Sequence, residues 1–174
     1  MLVLADGAGG HGDGAVAATA VLDQVREVVL DPTFDLARPT AWERLLGDLD
    51  RSVSAFGETT VVVVVLAPGM LLHAHAGDSE AWIVGPDDVT RLTERPAKAR
   101  LGSNRARPVA AIRGALDGRL VVASDGLFRH VAHDDIIAAM RRERLGGLAD
   151  ALVALPRLPS GAWPDDVAVL VAEA

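Results

Sequence analysis

Four short acidic segments, Ala5-Asp6-Gly7-Ala8-Gly9-Gly10-His11, Gly77-Asp78-Ser79, Ser124-Asp125-Gly126 and Pro164-Asp165-Asp166-Val167, each lie beside an apolar run that reads as a strand. Short carboxylates where several strands end together are rigid oxygen donors, the usual construction of a site for hard divalent cations. A pair of such ions opens hydrolytic chemistry, because it acidifies a shared water and offsets negative charge on the group attacked. Taken singly, Asp6, Asp125 and Asp165 each read better as a strand-end turn residue that bonds its own backbone, and Asp78 equally well. It is the set of them that points to a metal.

Other chemistries are narrowed by what the chain contains. It has no cysteine, so disulfides, thiolate catalysis and zinc-thiolate sites are excluded. His73 and His75 share one strand face at a spacing that can chelate zinc, but no third ligand of that kind stands out, and a structural reading is preferred. His11 reads as a structural residue at a helix start. The glycine-rich Gly7 to Gly14 segment is not followed by Gly-Lys-Ser/Thr and so is not a P-loop. A net charge of -7 and a pI near 5.1 argue against general binding of nucleic acid or acidic membranes. Aromatic residues make up 3% of the chain and tyrosine is absent, which disfavours a base-stacking surface. Basic residues do gather between Arg91 and Arg113 and from Arg141 to Arg144, most simply as solvated surface. No apolar run is long enough to span a bilayer, and Asp6 interrupts Met1-Leu2-Val3-Leu4 before it could be a signal peptide. The expectation is a soluble, cytoplasmic protein.

The elements that must position these aspartates follow from periodicity. Half of the 174 residues are apolar, enough for one domain with a real core, residues 1–174. Met1 to Ala5 reads as a strand, Gly7 to Gly14 as a turn, and Val16, Ala17, Ala20, Val21, Val25 and Val28 recur at helical spacing. Asp31 to Pro39 breaks that pattern. Trp42, Leu45, Leu46, Leu49, Val53 and Phe56 then mark a second helix, with Thr40 as N-cap. Thr59 to Ala67 and Met70 to Ala76, joined by Pro68-Gly69, form a hairpin signal. Glu80 to Val84 and Val89 to Leu92 extend an antiparallel meander, and Thr93 to Pro108 reads as a basic loop. Val109 to Arg113 and Leu120 to Ala123 are further strands. Asp134 is the expected cap of a helix through Arg142, Gly147 to Leu155 a short helix, and Val167 to Ala172 the closing strand. Grouped strands and grouped helices predict an α+β fold with antiparallel sheet. The run Val61 to Leu66 is apolar on both sides and needs cover on both faces.

In order and spacing these motifs resemble the metal-dependent serine/threonine phosphatases of the type-2C (PPM) family, nearly end to end. Leu4-Ala5-Asp6-Gly7-Ala8-Gly9-Gly10-His11 is similar to that family's aspartate-glycine-x-glycine-glycine-histidine segment. Thr59-Thr60, Ala76-Gly77-Asp78-Ser79-Glu80-Ala81 and Leu92-Thr93-Glu94 are similar to its central series. Val122-Ala123-Ser124-Asp125-Gly126-Leu127 and Pro164-Asp165-Asp166-Val167-Ala168-Val169 are similar to its last two motifs. The resemblance implies a four-layer α-β-β-α sandwich of two antiparallel sheets flanked by helices. It implies two Mg2+ or Mn2+ ions, with Asp6 bridging them, the Gly7 carbonyl and waters completing one, and Asp125 and Asp165 holding the other. Asp78 is a further metal-site candidate. The implied activity is hydrolysis of phosphoserine or phosphothreonine on a phosphoprotein, opposite a serine/threonine kinase, with positioning and electrostatics supplying catalysis.

The chain also departs from that pattern. The family's phosphate-gripping arginine and an acidic pair lie upstream of the first motif, whereas Met1 stands five residues before Asp6. A sheet edge is therefore expected to be unpaired, and three explanations compete: a start further upstream, a shortened enzyme, or a chain that kept the fold and lost the reaction. Arg129 stands where many members carry an aspartate for a third ion, which argues against a third ion here. Asp166 replaces an asparagine, and Arg95-Pro96 stands where a histidine is usual. No phosphate-binding residue is identified; Arg95, Arg105 and Arg107 are the first candidates. Beside the phosphatase, the alternatives are a catalytically silent binding or regulatory module and a phosphohydrolase of small molecules.

Overall fold

The computed structural model describes residues 1–93 and 99–174, with the backbone alone at Gly10 and His11. Glu94, Arg95 and Pro96 of the motifs above lie outside the described residues. The chain divides into two compact units, Met1–Ser79 with Arg95–Ala115, and Glu80–Glu94 with Leu116–Ala174.

In the first unit, β1 (Leu2–Leu4), β4 (Val61–Ala67), β5 (Met70–Ala76) and β8 (Val109–Arg113) form an antiparallel sheet in the order β1-β4-β5-β8. The Pro68-Gly69 turn closes the β4–β5 hairpin as expected, with Val61 opposite Ala76 and Ala67 opposite Met70. A separate two-stranded ladder pairs β2 (Gly7–Gly12) with β3 (Gly57–Thr59). Helices α1 (Gly14–Leu30) and α2 (Pro39–Ser52) lie on one face of the larger sheet. Their stripes Ala17, Val21, Val25, Trp42, Leu46 and Leu49 pack with Val61, Val63, Val65, Leu72 and Ala74 in one core. Val62 and Val64, on the opposite face of β4, are no less buried, in keeping with the double-faced apolar pattern.

In the second unit, β6 (Glu80–Val84), β7 (Val89–Arg91), β9 (Arg119–Ala123) and β10 (Val169–Glu173) form an antiparallel sheet in the order β10-β9-β6-β7. Helices α3 (Asp125–Phe128), α4 (His133–Arg142) and α5 (Leu145–Ala154) follow. Leu127, Phe128, Ile136, Met140, Leu148 and Leu152 pack on Trp82, Val84, Val121 and Ala123. No helix among the described residues is long and apolar enough to cross a membrane.

Several local expectations are corrected. Gly7 to Gly14 is not simply a turn: Gly7–Gly12 is a strand, because β3 supplies it with hydrogen-bond partners. The long run from Thr59 is split, Thr59 ending β3 and Val61 beginning β4. Thr40 does not cap α2; Arg38 is the cap residue and Pro39 takes the first turn, where its fixed φ and missing N–H cost nothing. The helical run also stops before Phe56, which is exposed. Asp134 is inside the first turn of α4 rather than its cap, which is Ala132. A carboxylate there still favours the positive end of the helix. The short helix α3, directly after Ser124, carries too few residues to show a period and was not expected.

Candidate metal-ligand clusters

In the first unit the backbone of Asp6 is held from both sides by the threonine pair. The Thr60 N–H donates to the Asp6 carbonyl at 2.9 Å, and the Thr59 hydroxyl donates to the same carbonyl at 3.0 Å. The Asp6 N–H donates to Thr60 Oγ1 at 3.2 Å, and that hydroxyl shares a 2.7 Å hydrogen bond with Ser79 Oγ. Thr59, Thr60 and Ser79 are all buried, so these bonds are shielded from water. Asp6 itself is half-buried, and Gly7 next to it is exposed. Gly7 cannot carry a side chain: a Cβ would lie 2.3 Å from the Gly14 carbonyl oxygen, at the start of α1. The absence of a side chain is what lets β2 run against that helix start.

Asp78 follows Gly77, whose φ of 97° lies in the left-handed region, and whose added Cβ would meet Thr60 at 2.8 Å. Its carboxylate is gripped by Arg100, with Nε donating to Oδ1 at 3.2 Å and Nη2 to Oδ2 at 2.9 Å. This bidentate pair ties the 99–108 loop to the end of β5. A second carboxylate, not anticipated, fixes the same loop. Asp50 on α2 is buried and accepts from the N–H groups of Gly102 (2.8 Å), Asn104 (3.0 Å) and Ala106 (3.0 Å). Of the phosphate candidates, Arg105 and Arg107 are exposed on this loop and Arg95 lies outside the described residues.

In the second unit Ser124 ties the start of α3 to the 164–168 segment. Ser124 Oγ accepts from the Ala168 N–H at 3.0 Å and donates to the Asp166 carbonyl at 3.3 Å; the Ser124 N–H donates to the Ala168 carbonyl at 3.0 Å. Gly126 permits this approach, since a Cβ there would lie 2.1 Å from the Asp166 carbonyl oxygen. Asp125 and Asp165 are thus carried on two segments bonded to each other. Asp165 and Asp166 are exposed, and Asp165 Oδ1 accepts from the Asp166 N–H at 3.0 Å. Arg129 Nη2 lies 2.7 Å from Asp125 Oδ2.

The expected donors Asp6, the Gly7 carbonyl, Asp125 and Asp165 are all oxygens, with no imidazole or sulfur among them, and in kind they fit Mg2+ or Mn2+. Among the described residues no group of three or more histidine, aspartate or glutamate side chains is gathered closely enough to hold an ion. His73 and His75 are buried on β5 with their rings stacked at 6.0 Å. Neither Nδ1 has a protein partner among the described residues. Burial, then the His75 and Arg113 charges, push the His73 imidazole down to about 4, and burial lowers His75 as well. They are neutral core residues at ordinary pH.

Comparison with known proteins finds one family and one recurring fold. A family model described as Stage II sporulation protein E (SpoIIE) matches residues 1–174. The serine/threonine protein phosphatase PstP of Mycobacterium tuberculosis (strain CDC 1551 / Oshkosh) is 26% identical over 208 residues, covering 99% of this chain and 40% of PstP. The chain therefore spans about two fifths of that curated relative. The crystal structure of the catalytic domain of PstP in complex with two manganese ions superposes with a TM-score of 0.82 at 24% identity, over 99% of this chain and 86% of that one. Serine/threonine phosphatase Stp1 from Staphylococcus aureus gives 0.87 at 20% identity, over 99% and 83%. The α+β arrangement of antiparallel sheets and flanking helices is the fold of these phosphatases.

Proposed function

Because the chain belongs to the SpoIIE family and has the type-2C phosphatase fold, we propose that it hydrolyses phosphoserine and phosphothreonine on proteins with Mg2+ or Mn2+. The observation that carries this reading is the Ser124 clamp. Two segments 42 residues apart in sequence are joined by one buried hydroxyl, and each presents an aspartate next to the bond. The bonds continue the β9–β10 ladder past the Ala123–Val169 pair and so carry Asp125 and Asp165 at adjoining strand ends.

In this reading Asp6 and the Gly7 carbonyl, in the first unit, and Asp125 and Asp165, in the second, would serve as ligands of divalent ions, which when bound would supply an acidified water and charge against the phosphoryl group. The residues of the chain supply rigidity. Thr59 and Thr60 fix the Asp6 backbone, so its carboxylate loses little freedom on binding. Ser124 and Gly126 fix Asp165 relative to Asp125. Asp78, turned onto Arg100, supports the loop that carries Arg105 and Arg107. The substrate is a phosphoprotein and the opposing enzyme a serine/threonine kinase, both in the cytoplasm.

One observation favours a second reading, a silent binding or regulatory module: the Asp125 carboxylate is already paired with Arg129. Hydrolysis of a phosphothreonine peptide, with Mn2+ or with chelator, separates the two. Metal-dependent turnover that falls at least about a hundredfold in Asp125→Ala is the expected result for a phosphatase. A folded chain that binds phosphoprotein without turnover is the silent module.

A further inference from the structure

We infer that Arg129 sets how tightly a divalent cation is held at Asp125, by holding the same carboxylate in an ion pair. The inference rests on the metal-dependent reading above. Arg129 lies one helical turn beyond Asp125, and its N–H donates to the Asp125 carbonyl at 2.8 Å, so the backbone of α3 fixes the spacing of the pair. The guanidinium then reaches Asp125 Oδ2 at 2.7 Å. The Asp125 side chain is 16% exposed and that of Arg129 57%. The carboxylate is thus mostly shielded from solvent while the cation that neutralises it is not.

Two physical effects act on any ion that Asp125 takes up. One carboxylate oxygen already accepts from a charged donor, which lowers its capacity to donate electron density to a metal. A full positive charge would also stand near any ion held by the same carboxylate, a repulsion that the 57% exposure of Arg129 reduces but does not remove. Neither effect requires the ion pair to break. The pair also serves the metal-free protein, since a half-buried carboxylate without an ion is costly unless another cation meets it. Arg129 is in this sense a built-in counter-ion to Asp125 in the metal-free protein, and it raises the concentration of metal needed to fill Asp125.

The test follows Mn2+ binding to the whole chain by the electron paramagnetic resonance signal of the free ion, which does not depend on turnover. The parent, Arg129→Gln, Arg129→Lys, Asp125→Asn and the Asp125→Asn/Arg129→Gln double variant are compared, each shown to be folded by circular dichroism. Arg129→Gln is expected to bind Mn2+ about tenfold more tightly than the parent. Arg129→Lys is expected to stay near the parent, and the gain is expected to vanish when Asp125 is asparagine. Unchanged or weaker binding by Arg129→Gln, or an equal gain in the Asp125→Asn background, overturns the inference and leaves the metal reading standing. Absence of Mn2+ binding by every folded form overturns both.

Discussion

The buried carboxylate of Asp50, on α2, receives the N–H of Gly102 at 2.8 Å and so fastens a loop 52 residues further along the chain. Two more amides, those of Asn104 and Ala106, point at the same carboxylate. Three donors on one buried acid form a small network in which each bond protects the others from water. Removing the acid leaves three amides to find new partners. Asp50→Ala is expected to lower stability by about 3 kcal/mol, and Asp50→Asn by less, because the amide keeps one acceptor oxygen. Urea denaturation of the three forms measures this; equal midpoints for parent and Asp50→Ala would remove Asp50 from the account.

Gly126 separates local packing from general helix preference. An alanine Cβ there would lie 2.1 Å from the Asp166 carbonyl oxygen, so the segment carrying Asp165 has to move. Gly126→Ala is expected to cost about 2 kcal/mol or more and to lower Mn2+-dependent turnover more than about tenfold. Gly47, on α2, has open space at its Cβ position, and Gly47→Ala is expected to be neutral or stabilising by up to about 1 kcal/mol. If both substitutions behave alike, the clamp does not position Asp165.

How far such relationships could be foreseen depends on their range. The bounds of β6 and β8 are those expected, Glu80–Val84 and Val109–Arg113, because turn residues bracket each short run. Gly7–Gly12 could not be recognised as a strand, since glycines carry no side-chain alternation and the strand exists through its partner Gly57–Thr59. Thr40 looked like a cap on residue type alone, but Pro39 beside it decided where the helix begins. The aspartates stood out by type and neighbourhood, whereas the groups that hold them did not. Asp78 meets Arg100 across 22 residues and Asp50 meets Ala106 across 56, and no periodicity carries information over such separations. Only opposite charge hinted at the first pair, and nothing at the second.

His73 predicts an acid limit to stability. Its imidazole protonates at about 4 in the folded chain against 6.5 when unfolded, and His75 is shifted the same way. Between those values the unfolded chain binds more protons, so stability rises with pH over that interval and is fully present above pH 6.5. Acidification from 6.5 towards 4 is expected to remove up to about 3 kcal/mol through His73 alone. Replacing it with leucine removes both the titration and an Nδ1 that has no protein partner among the described residues. His73→Leu is therefore expected to flatten the acid slope and to gain about 1 kcal/mol at pH 7.5. Parallel pH profiles for parent and variant would show that His73 is protonated at no cost.

Thr60 joins the first acidic segment to the glycine-aspartate-serine turn through a single hydroxyl, which accepts from the Asp6 N–H and shares a hydrogen bond with Ser79 Oγ. Thr60→Val keeps the shape and deletes both bonds, leaving a buried serine hydroxyl and an amide to be satisfied elsewhere, a cost of about 1–3 kcal/mol. The fold should survive, because the Thr60 N–H and the Thr59 hydroxyl still hold the Asp6 carbonyl. With one side of its backbone released, Asp6 samples more orientations, and a bound ion has to restore the ordered one. Mn2+ affinity is therefore expected to fall about tenfold in Thr60→Val and to be largely kept in Thr60→Ser, which retains the hydroxyl. Should valine and serine bind Mn2+ equally well, the hydroxyl has no part in aligning Asp6, and the carbonyl-side bonds alone are sufficient.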